Sequence, residues 1–315
     1  MAHAAAMAVV LPVRSLPKAA SHLPHGSAET TVRHLRQATG GGRPPKRRPS
    51  AVPRASLSTT KESVLSDFRE RRALKIISGL QNFDKDKVAS VVIAAEKGGA
   101  THVDIACDRE LVELALDLTS LPICVSSVDP LAFPSAVEAG AQMVEIGNYD
   151  SFYEMGIQFS PEQILKLTRE TRRILPSITL SVTVPHMLSL PDQVKLAELL
   201  EQEGADIIQT EGGKYSSPSK PGVLGLIEKV TTATPTLAAA YSISRAVQIP
   251  VMCSSGLSAV TAPMALTAGA AGVGVGSAVN RLNDVVAMIA EVKTIAESLV
   301  LPARLSSEQM QSARR

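Results

Sequence analysis

From residue 74 onward, short runs of β-branched residues alternate with longer stretches in which apolar residues recur at helical spacing. Eight of the short runs are predicted to be strands: 74–79, 101–106, 122–127, 142–147, 178–184, 206–211, 250–254 and 272–276. Eight of the longer stretches are predicted to be helices: about 84–98, 109–119, 131–139, 161–174, 191–203, 235–247, 258–268 and 280–299. Strands that alternate with helices in this way indicate parallel βαβ units.

The joints between these elements agree with that pattern. Predicted helices lead into strands through glycine and alanine at 98–100, 140–141, 204–205 and 269–272, where glycine supplies a left-handed helix end. Eight βα units over about 230 residues are typical of a TIM barrel. A doubly wound open sheet is the alternative, but the loop after the first strand, 78–82, lacks the Gly-x-Gly-x-x-Gly pattern. The sequence therefore predicts an α/β fold with one (β/α)8 barrel.

The first sixty residues have a different composition from the rest. They carry nine Lys and Arg residues against one acid, and they are rich in Ala, Ser and Pro, which is typical of an organellar transit peptide. The basic cluster at 43–49 alone would also fit a nuclear-localisation or nucleic-acid-binding segment. We predict a plastid transit peptide over 1–55, cleaved between Val52 and Lys61, with import to the chloroplast stroma. The barrel is predicted over 61–300 and a polar tail over 301–315.

Composition excludes several classes of protein. Three cysteines in 315 residues cannot form a disulfide scaffold, and no run of about 18 apolar residues predicts a membrane span. Beyond residue 60 the chain holds 23 basic and 29 acidic side chains, so a basic face for nucleic acid is not expected. The oligomeric state is left open.

Small residues follow the last two predicted strands, where a barrel carries its active site. Strand seven ends in Cys253-Ser-Ser-Gly256 and strand eight gives 272–278, Gly-Val-Gly-Val-Gly-Ser-Ala. Backbone N–H groups of such loops approach an anion closely, and many barrels hold a substrate phosphate there. The loop Glu211-Gly-Gly-Lys214 could add further N–H groups and a cation. The alternative is that these glycines only thin the barrel wall. The predicted phosphate ligands are Ser255, Gly256, Gly274, Gly276, Ser277, Gly212 and Gly213.

Charged residues interrupt three of the apolar strands: Lys75, Asp104 and Glu145. Since an unpaired charge is strongly unfavourable against the apolar helical layer, all three are predicted to point into the barrel. They form either a reaction centre or an ion network that fixes strand register. In the first case Lys75 is a Schiff-base former or general acid, and Asp104 or Glu145 is the general base. Lys75 is expected about four residues below the rim, and the two acids nearer to it.

Other reactive side chains lack a clear pattern. His186 follows Pro185 after the fifth strand, where it is an acid/base group or, as we expect, a residue that caps a turn. Cys107, Cys124 and Cys253 have no partners at metal-ligand spacing, so no metal is predicted. Cys253 ends strand seven, and a small buried thiol is expected there rather than a reactive one.

Several segments together resemble the hypothetical chloroplast open reading frame twenty-three family. They are 74–84, 98–106, 210–213, 239–241, 253–256 and 274–277, and the resemblance covers about residues 70–300. It implies an aldolase-type TIM barrel, plastid-encoded in algae and nuclear-encoded in land plants, and it supplies no reaction. The chain is also similar to phosphate-binding barrels such as thiazole synthase and those of tryptophan and histidine biosynthesis. It differs from the histidine barrels by Lys75, where they have a carboxylate.

The sequence thus predicts a barrel that binds a small phosphorylated metabolite for lyase, synthase or isomerase chemistry without a metal or other cofactor. A non-catalytic barrel that binds a phosphometabolite or a protein partner is the alternative. A flavin or nicotinamide enzyme is a third hypothesis, because several barrels hold flavin mononucleotide through the same loops.

Overall fold

The structure is a computed structural model that describes residues 54–213 and 221–312, with side chains described over 61–213 and 221–300. Eight parallel strands close into a barrel in sequence order, and β8 pairs with β1. Their bounds are β1 Ala73–Ile77, β2 His102–Ala106, β3 Ile123–Ser127, β4 Met143–Ile146, β5 Thr179–Val184, β6 Ile207–Thr210, β7 Val251–Ser254 and β8 Gly272–Val275. The predicted TIM barrel is confirmed, and the open sheet is excluded.

Helices cover the outside of the barrel. They are α1 Arg54–Arg69, α2 Lys85–Gly98, α3 Arg109–Leu118, α4 Phe133–Ala139, α5 Asp150–Glu154, α6 Pro161–Ile174, α7 Leu190–Gln202, α8 Gly222–Ile243, α9 Ala262–Ala268, α10 Ser277–Asn280 and α11 Val285–Ser312. None of the helices in the described ranges is long and apolar enough to cross a membrane.

The helices differ from the predicted set in three ways. Helices α1 and α5 were not predicted, and α8 begins at Gly222 rather than near 235. Residues up to Ser312, predicted as a polar tail, continue α11. Most of the predicted transit peptide, residues 1–53, lies outside the described residues.

Side-chain caps explain where several helices begin. Asp84 accepts hydrogen bonds from the backbone N–H groups of Asp86 and Lys87 and so starts α2. Ser160 and Gln163 form the reciprocal capping box at the start of α6. Gly99 ends α2 in the left-handed conformation, as the glycine–alanine joints predicted. Local chemistry therefore sets the lengths of the βα units.

The lower end of the barrel, where its strands begin, is closed by helix α1. Val64, Leu65 and Phe68 from α1 are buried against apolar residues that the strands and their approaches supply: Ala73, Cys124, Met143, Ile207, Met252 and Ala271. The Phe68 ring contacts the His102 ring at 5.1 Å, and His102 Nε2 bonds the Val64 carbonyl at 3.0 Å. Burial lowers the pKa of His102 to about 4, so the ring is neutral there.

Candidate functional site

Three charged side chains meet in the barrel interior. Lys75 from β1, Asp104 from β2 and Glu145 from β4 are each 0% exposed, and Lys75 Nζ forms an ion pair with Glu145 Oε2. Asp104 Oδ1 accepts a hydrogen bond of 2.6 Å from the Ser126 hydroxyl. The three side chains point inward, as strand alternation predicted.

Asn148 covers this cluster from above. Its Nδ2 lies within hydrogen-bond distance of Asp104 Oδ2, at 3.2 Å, and of Glu145 Oε1, at 3.1 Å. Glu145 Oε1 also accepts from Gln209 Nε2 at 2.6 Å and from the Thr183 hydroxyl at 3.3 Å. Asn148 has a left-handed backbone, with φ of 63°, which turns its amide back over the barrel axis. Each carboxylate is therefore satisfied within the barrel.

The electrostatics of the cluster follow from its burial. Burial alone lowers the pKa of Lys75, but Glu145 and the other acidic groups around it reverse that effect, so the pKa is raised and the amine is charged. Burial raises the pKa of Asp104 to about 7, although Lys75 acts in the opposite direction. Near neutral pH this carboxyl is thus partly protonated.

A substrate above the barrel does not reach these three groups in this conformation. Asp104 and Glu145 were expected nearer the rim than Lys75, but all three are equally inaccessible. The Lys75 amine, held by Glu145, is not free to attack a carbonyl carbon. Contact between the cluster and a ligand requires Asn148 to move.

A cavity of about 1320 Å³ opens above Asn148, at the end of the barrel where the strands finish. It is bordered by the loop after β1, the loops after β7 and β8, and the side of α8. Its position is the one at which TIM barrels carry their active sites. Asn148 lines both the cavity and the charged cluster, so it forms the floor between them.

The loops after β7 and β8 present backbone N–H groups to this cavity. Ser255 and Gly256 both have positive φ, 80° and 68°, which is unusual for a serine. Ser277 and Ala278 begin α10, where backbone N–H groups have no acceptor within the helix. Within the described ranges, none of these four N–H groups donates to a protein acceptor. The loops thus offer free donors where an anion was predicted.

The glycines of these loops have different structural reasons. A Cβ at Gly274 would lie 2.8 Å from the Ser254 hydroxyl, and one at Gly272 would lie 2.7 Å from the Ala73 carbonyl. Glycine is needed at these two positions because a Cβ would collide with the neighbouring strand of the barrel wall. For Gly272 and Gly274 this agrees with the alternative interpretation of the glycines. At Gly276 the nearest atom would be 3.4 Å away and φ is −114°, so packing does not demand glycine there. A Cβ at Gly276 would make ordinary contacts with Ile77 and Asn280 at the border of the cavity.

The loop after β6 contributes less than was predicted. Gly213 lines the cavity, whereas Gly212 packs against Thr236 and Ser255, with its Cβ position 3.2 and 3.3 Å from them. Lys214, the predicted cation, lies outside the described residues. Sequence reasoning missed Lys229 of α8, which lines the cavity and forms no ion pair with any described residue. Its helix was predicted to begin only near 235, so no pattern pointed to it.

A second polar cluster lies beside Gly213. Glu211 Oε2 accepts hydrogen bonds from His186 Nδ1 at 2.9 Å, from the Tyr153 hydroxyl at 2.8 Å and from the His186 backbone N–H at 3.3 Å. The bond to Glu211 raises the pKa of His186, and burial opposes this effect. His186 was expected only to cap a turn. Its position at the end of β5, next to the end of β6, was the signal that could have identified the pair.

Asp150 joins His186 and Glu211 in the one group of described residues that could hold a metal ion. Their ligand atoms lie within 4.8 Å of one another. The hydrogen bond between His186 and Glu211 already explains why those two are close. Cys107, Cys124 and Cys253 are free thiols, and burial raises the pKa of Cys253 to about 11, so it is not a thiolate at neutral pH.

Comparison with known proteins matches the chain to one family. The model of the family described as "Protein of unknown function (DUF561)" matches residues 58–304. "Uncharacterized protein ycf23" of Pyropia yezoensis is 40% identical over 243 residues, which are 76% of this chain and 88% of the relative. The relative from Cyanophora paradoxa, with the same name, is 40% identical over 225 residues, 70% of this chain and 90% of its own. The family resemblance in the sequence is confirmed, and these relatives support a plastid location.

Solved structures agree on the fold. The structure of QR15, an aldolase, is 20% identical, with a TM-score of 0.51 over 76% of this chain and 99% of its own. The (S)-3-O-geranylgeranylglyceryl phosphate synthase from Thermoplasma acidophilum, solved with its substrate sn-glycerol-1-phosphate, is 14% identical. Its TM-score is 0.52 over 76% of this chain and 97% of its own. At these identities the likeness establishes an aldolase-type TIM barrel and nothing finer.

Proposed function

Since the chain belongs to the family described as Protein of unknown function (DUF561), we propose that it is a chloroplast stromal barrel that binds a small phosphorylated metabolite. The observation that carries this proposal is the set of free N–H donors on the loops after β7 and β8. The phosphate would be held by Ser255, Gly256, Gly276 and Ser277, whereas Gly274 lies within β8 and belongs to the barrel wall. Lys229 faces the same cavity and would add a positive charge.

The rest of the cavity supports a small ligand with a polar end. From the phosphate loops, the lining continues over the Asn148 floor to Gly213 and Asp150. A substrate of a few carbon atoms would extend along this line, with Gly213 as a further N–H donor. A solved barrel of similar fold holds sn-glycerol-1-phosphate, a ligand of this size. We propose lyase, synthase or isomerase chemistry that uses acid/base groups and no metal or flavin.

In this proposal the acid/base groups lie beneath Asn148, the floor of the cavity, and they are Asp104, Glu145 and Lys75. They act on the substrate only when Asn148 moves aside, because all three are fully buried. Schiff-base formation by Lys75 is the least favoured role, since Glu145 holds the amine.

A thermal-shift assay of the full chain tests the phosphate site. The ligands are inorganic phosphate, sn-glycerol-1-phosphate and flavin mononucleotide, each added to wild type, Gly276→Asp and Gly276→Ala. A ligand at about 100 times its Kd adds about 2.7 kcal/mol to the free energy of unfolding, which corresponds to roughly 5–11 °C for a domain of this size. Both substitutions fit the backbone at Gly276, so only the aspartate charge should abolish the shift.

The outcomes separate the hypotheses. A shift that survives in Gly276→Ala and is lost in Gly276→Asp supports the phosphate site. A shift with flavin mononucleotide alone, together with yellow protein, favours the flavin hypothesis. If no phosphate compound changes the Tm of wild type, the loops have no anion site and the proposal fails.

A non-catalytic barrel is the second candidate, and one feature favours it. The first turns of α8 expose four apolar side chains, Val223, Leu224, Leu226 and Ile227, at 45–72%. An exposed apolar patch of this kind is typical of a surface that binds another protein. Loss of binding to a plastid extract in Leu224→Glu, with phosphate binding retained, would favour this candidate.

A further inference from the structure

Glu211 sets which ring nitrogen of His186 carries the proton. A carboxylate only accepts hydrogen bonds, so the 2.9 Å contact between Glu211 Oε2 and His186 Nδ1 places a proton on Nδ1. In the neutral ring the lone pair is then on Nε2. The Tyr153 hydroxyl donates to the same oxygen at 2.8 Å, and its ring meets the imidazole edge-on at 5.1 Å. The imidazole is thus fixed in both tautomer and orientation.

The Nε2 atom of His186 lies next to Gly213, which lines the cavity. A Cβ on Gly213 would be 2.8 Å from Nε2, so a glycine is needed for the loop after β6 to approach the imidazole this closely. Within the described part of the chain, Nε2 has no hydrogen-bond partner. The His186 side chain is 21% exposed. A proton acceptor without a hydrogen-bond partner among the described residues therefore lies beside Gly213, a residue that lines the proposed ligand space.

The groups around the ring suit it to proton transfer. Glu211 raises the pKa of His186 through its hydrogen bond, burial lowers it, and Glu211 and Asp150 add negative potential. Tyr153 faces the ring as a neutral phenol, because burial and Glu211 raise its own pKa. A base that titrates near the working pH is the most efficient one for general acid–base catalysis. In contrast, the cluster of Lys75, Asp104 and Glu145 is fully buried, so its groups are not accessible to a ligand in this conformation.

We infer that His186 Nε2 removes and returns a proton on a phosphorylated ketone bound in the cavity, with Glu211 as the positioning residue. This inference rests on the proposed phosphate site. Nε2 takes the proton from the carbon next to the carbonyl, and the electron pair of the C–H bond forms an enediolate. Return of the proton from Nε2 to the same carbon regenerates the ketone. Return to the neighbouring carbon gives the aldehyde when the hydroxyl proton of the enediolate passes to the other oxygen. The step consumes no oxidant and no co-reactant.

Hydrogen exchange in D2O tests the inference directly. The full chain is incubated with dihydroxyacetone phosphate or with fructose 6-phosphate, and loss of the C–H signal next to the carbonyl is followed by ¹H NMR. Unphosphorylated dihydroxyacetone is the control for the phosphate. Wild type should exchange the C–H hydrogen next to the carbonyl of the phosphorylated ketone. The exchange rate of His186→Gln should be about 10²–10⁴-fold lower, while its thermal shift with the same ligand persists.

Two further measurements separate proton transfer from a merely structural role. In His186→Gly, free imidazole should restore part of the exchange, because it supplies the missing base in the same place. In Glu211→Gln the pH midpoint of exchange should move down, since the bond that raises the His186 pKa is lost.

Each result decides between the proposals. Exchange by His186→Gln at the wild-type rate would overturn the inference, as would absence of exchange by wild type with both ketones despite a thermal shift. In both cases the phosphate site stands. Absence of any thermal shift removes the phosphate site, and the inference falls with it.

Discussion

Glu145→Gln is the substitution that most directly tests whether the barrel interior is held by charge. It keeps the shape of the side chain but leaves the fully buried Lys75 ammonium without the carboxylate that it contacts. Removal of one member of a buried ion pair costs about 3–5 kcal/mol. Since 1 kcal/mol lowers the Tm by about 2–4 °C in a chain of 150–250 residues, we expect a loss of roughly 6–20 °C.

The control is an ion pair of the same type on the surface. Lys85 and Glu110 form a contact of 2.6 Å, but their side chains are 60% and 70% exposed. Glu110→Gln should leave the midpoint of urea unfolding almost unchanged, because water screens the pair. Both variants are measured by urea unfolding at neutral pH and by calorimetry.

A third variant separates the ion pair from simple packing. In Lys75→Met/Glu145→Gln the interior contains neither charge, so a large part of the lost stability should return. If Glu145→Gln unfolds within about 1 kcal/mol of wild type, the lysine is not held as a buried cation. Lys75 and Glu145 would then not form a buried ion pair.

Two more predictions concern the same region. Because the pKa of Asp104 is raised to about 7, its contribution to stability is complete below about pH 4 and is lost as the pH rises through about 7. In Asp104→Asn, the free energy of unfolding measured with urea should not fall over this pH range. If wild type and the variant lose stability in parallel, the raised pKa of Asp104 is refuted. Gly147→Ala should cost about 1–3 kcal/mol in thermal unfolding, since its Cβ would collide with Thr183. Gly156 also has a positive φ, but its Cβ position has no atom within 4 Å. Gly156→Ala therefore controls for backbone strain alone.

The barrel could be predicted because its signals are local. Alternating strand and helix patterns, glycine at helix ends and the capping box at Ser160 each act within a few residues. The start of α8 was missed because glycines and β-branched residues over 222–234 weaken the helical pattern, and Pro235 imitates a helix start although it lies inside the helix. Helix α1 was missed because its polar composition resembles that of residues 1–53.

The candidate site was predicted only in part. Strand alternation placed Lys75, Asp104 and Glu145 inside the barrel, because the inward direction is a local property of each strand. The cover over them was not predictable, since it depends on the left-handed backbone of Asn148 and on contacts across the barrel. The pairing of His186 with Glu211 joins residues 25 positions apart and required the order of the strands.

The helix that closes the lower end of the barrel has a consequence for the order of folding. Helix α1 is synthesised before every strand, yet the apolar residues that it covers extend from Ala73 to Ala271. Its docking site is complete only when strands from both ends of the sequence have met. Helix α1, which leaves the ribosome before every strand, therefore completes its contacts last. The chain has no tryptophan, so Phe68→Trp would place a single tryptophan where its fluorescence reports that final step.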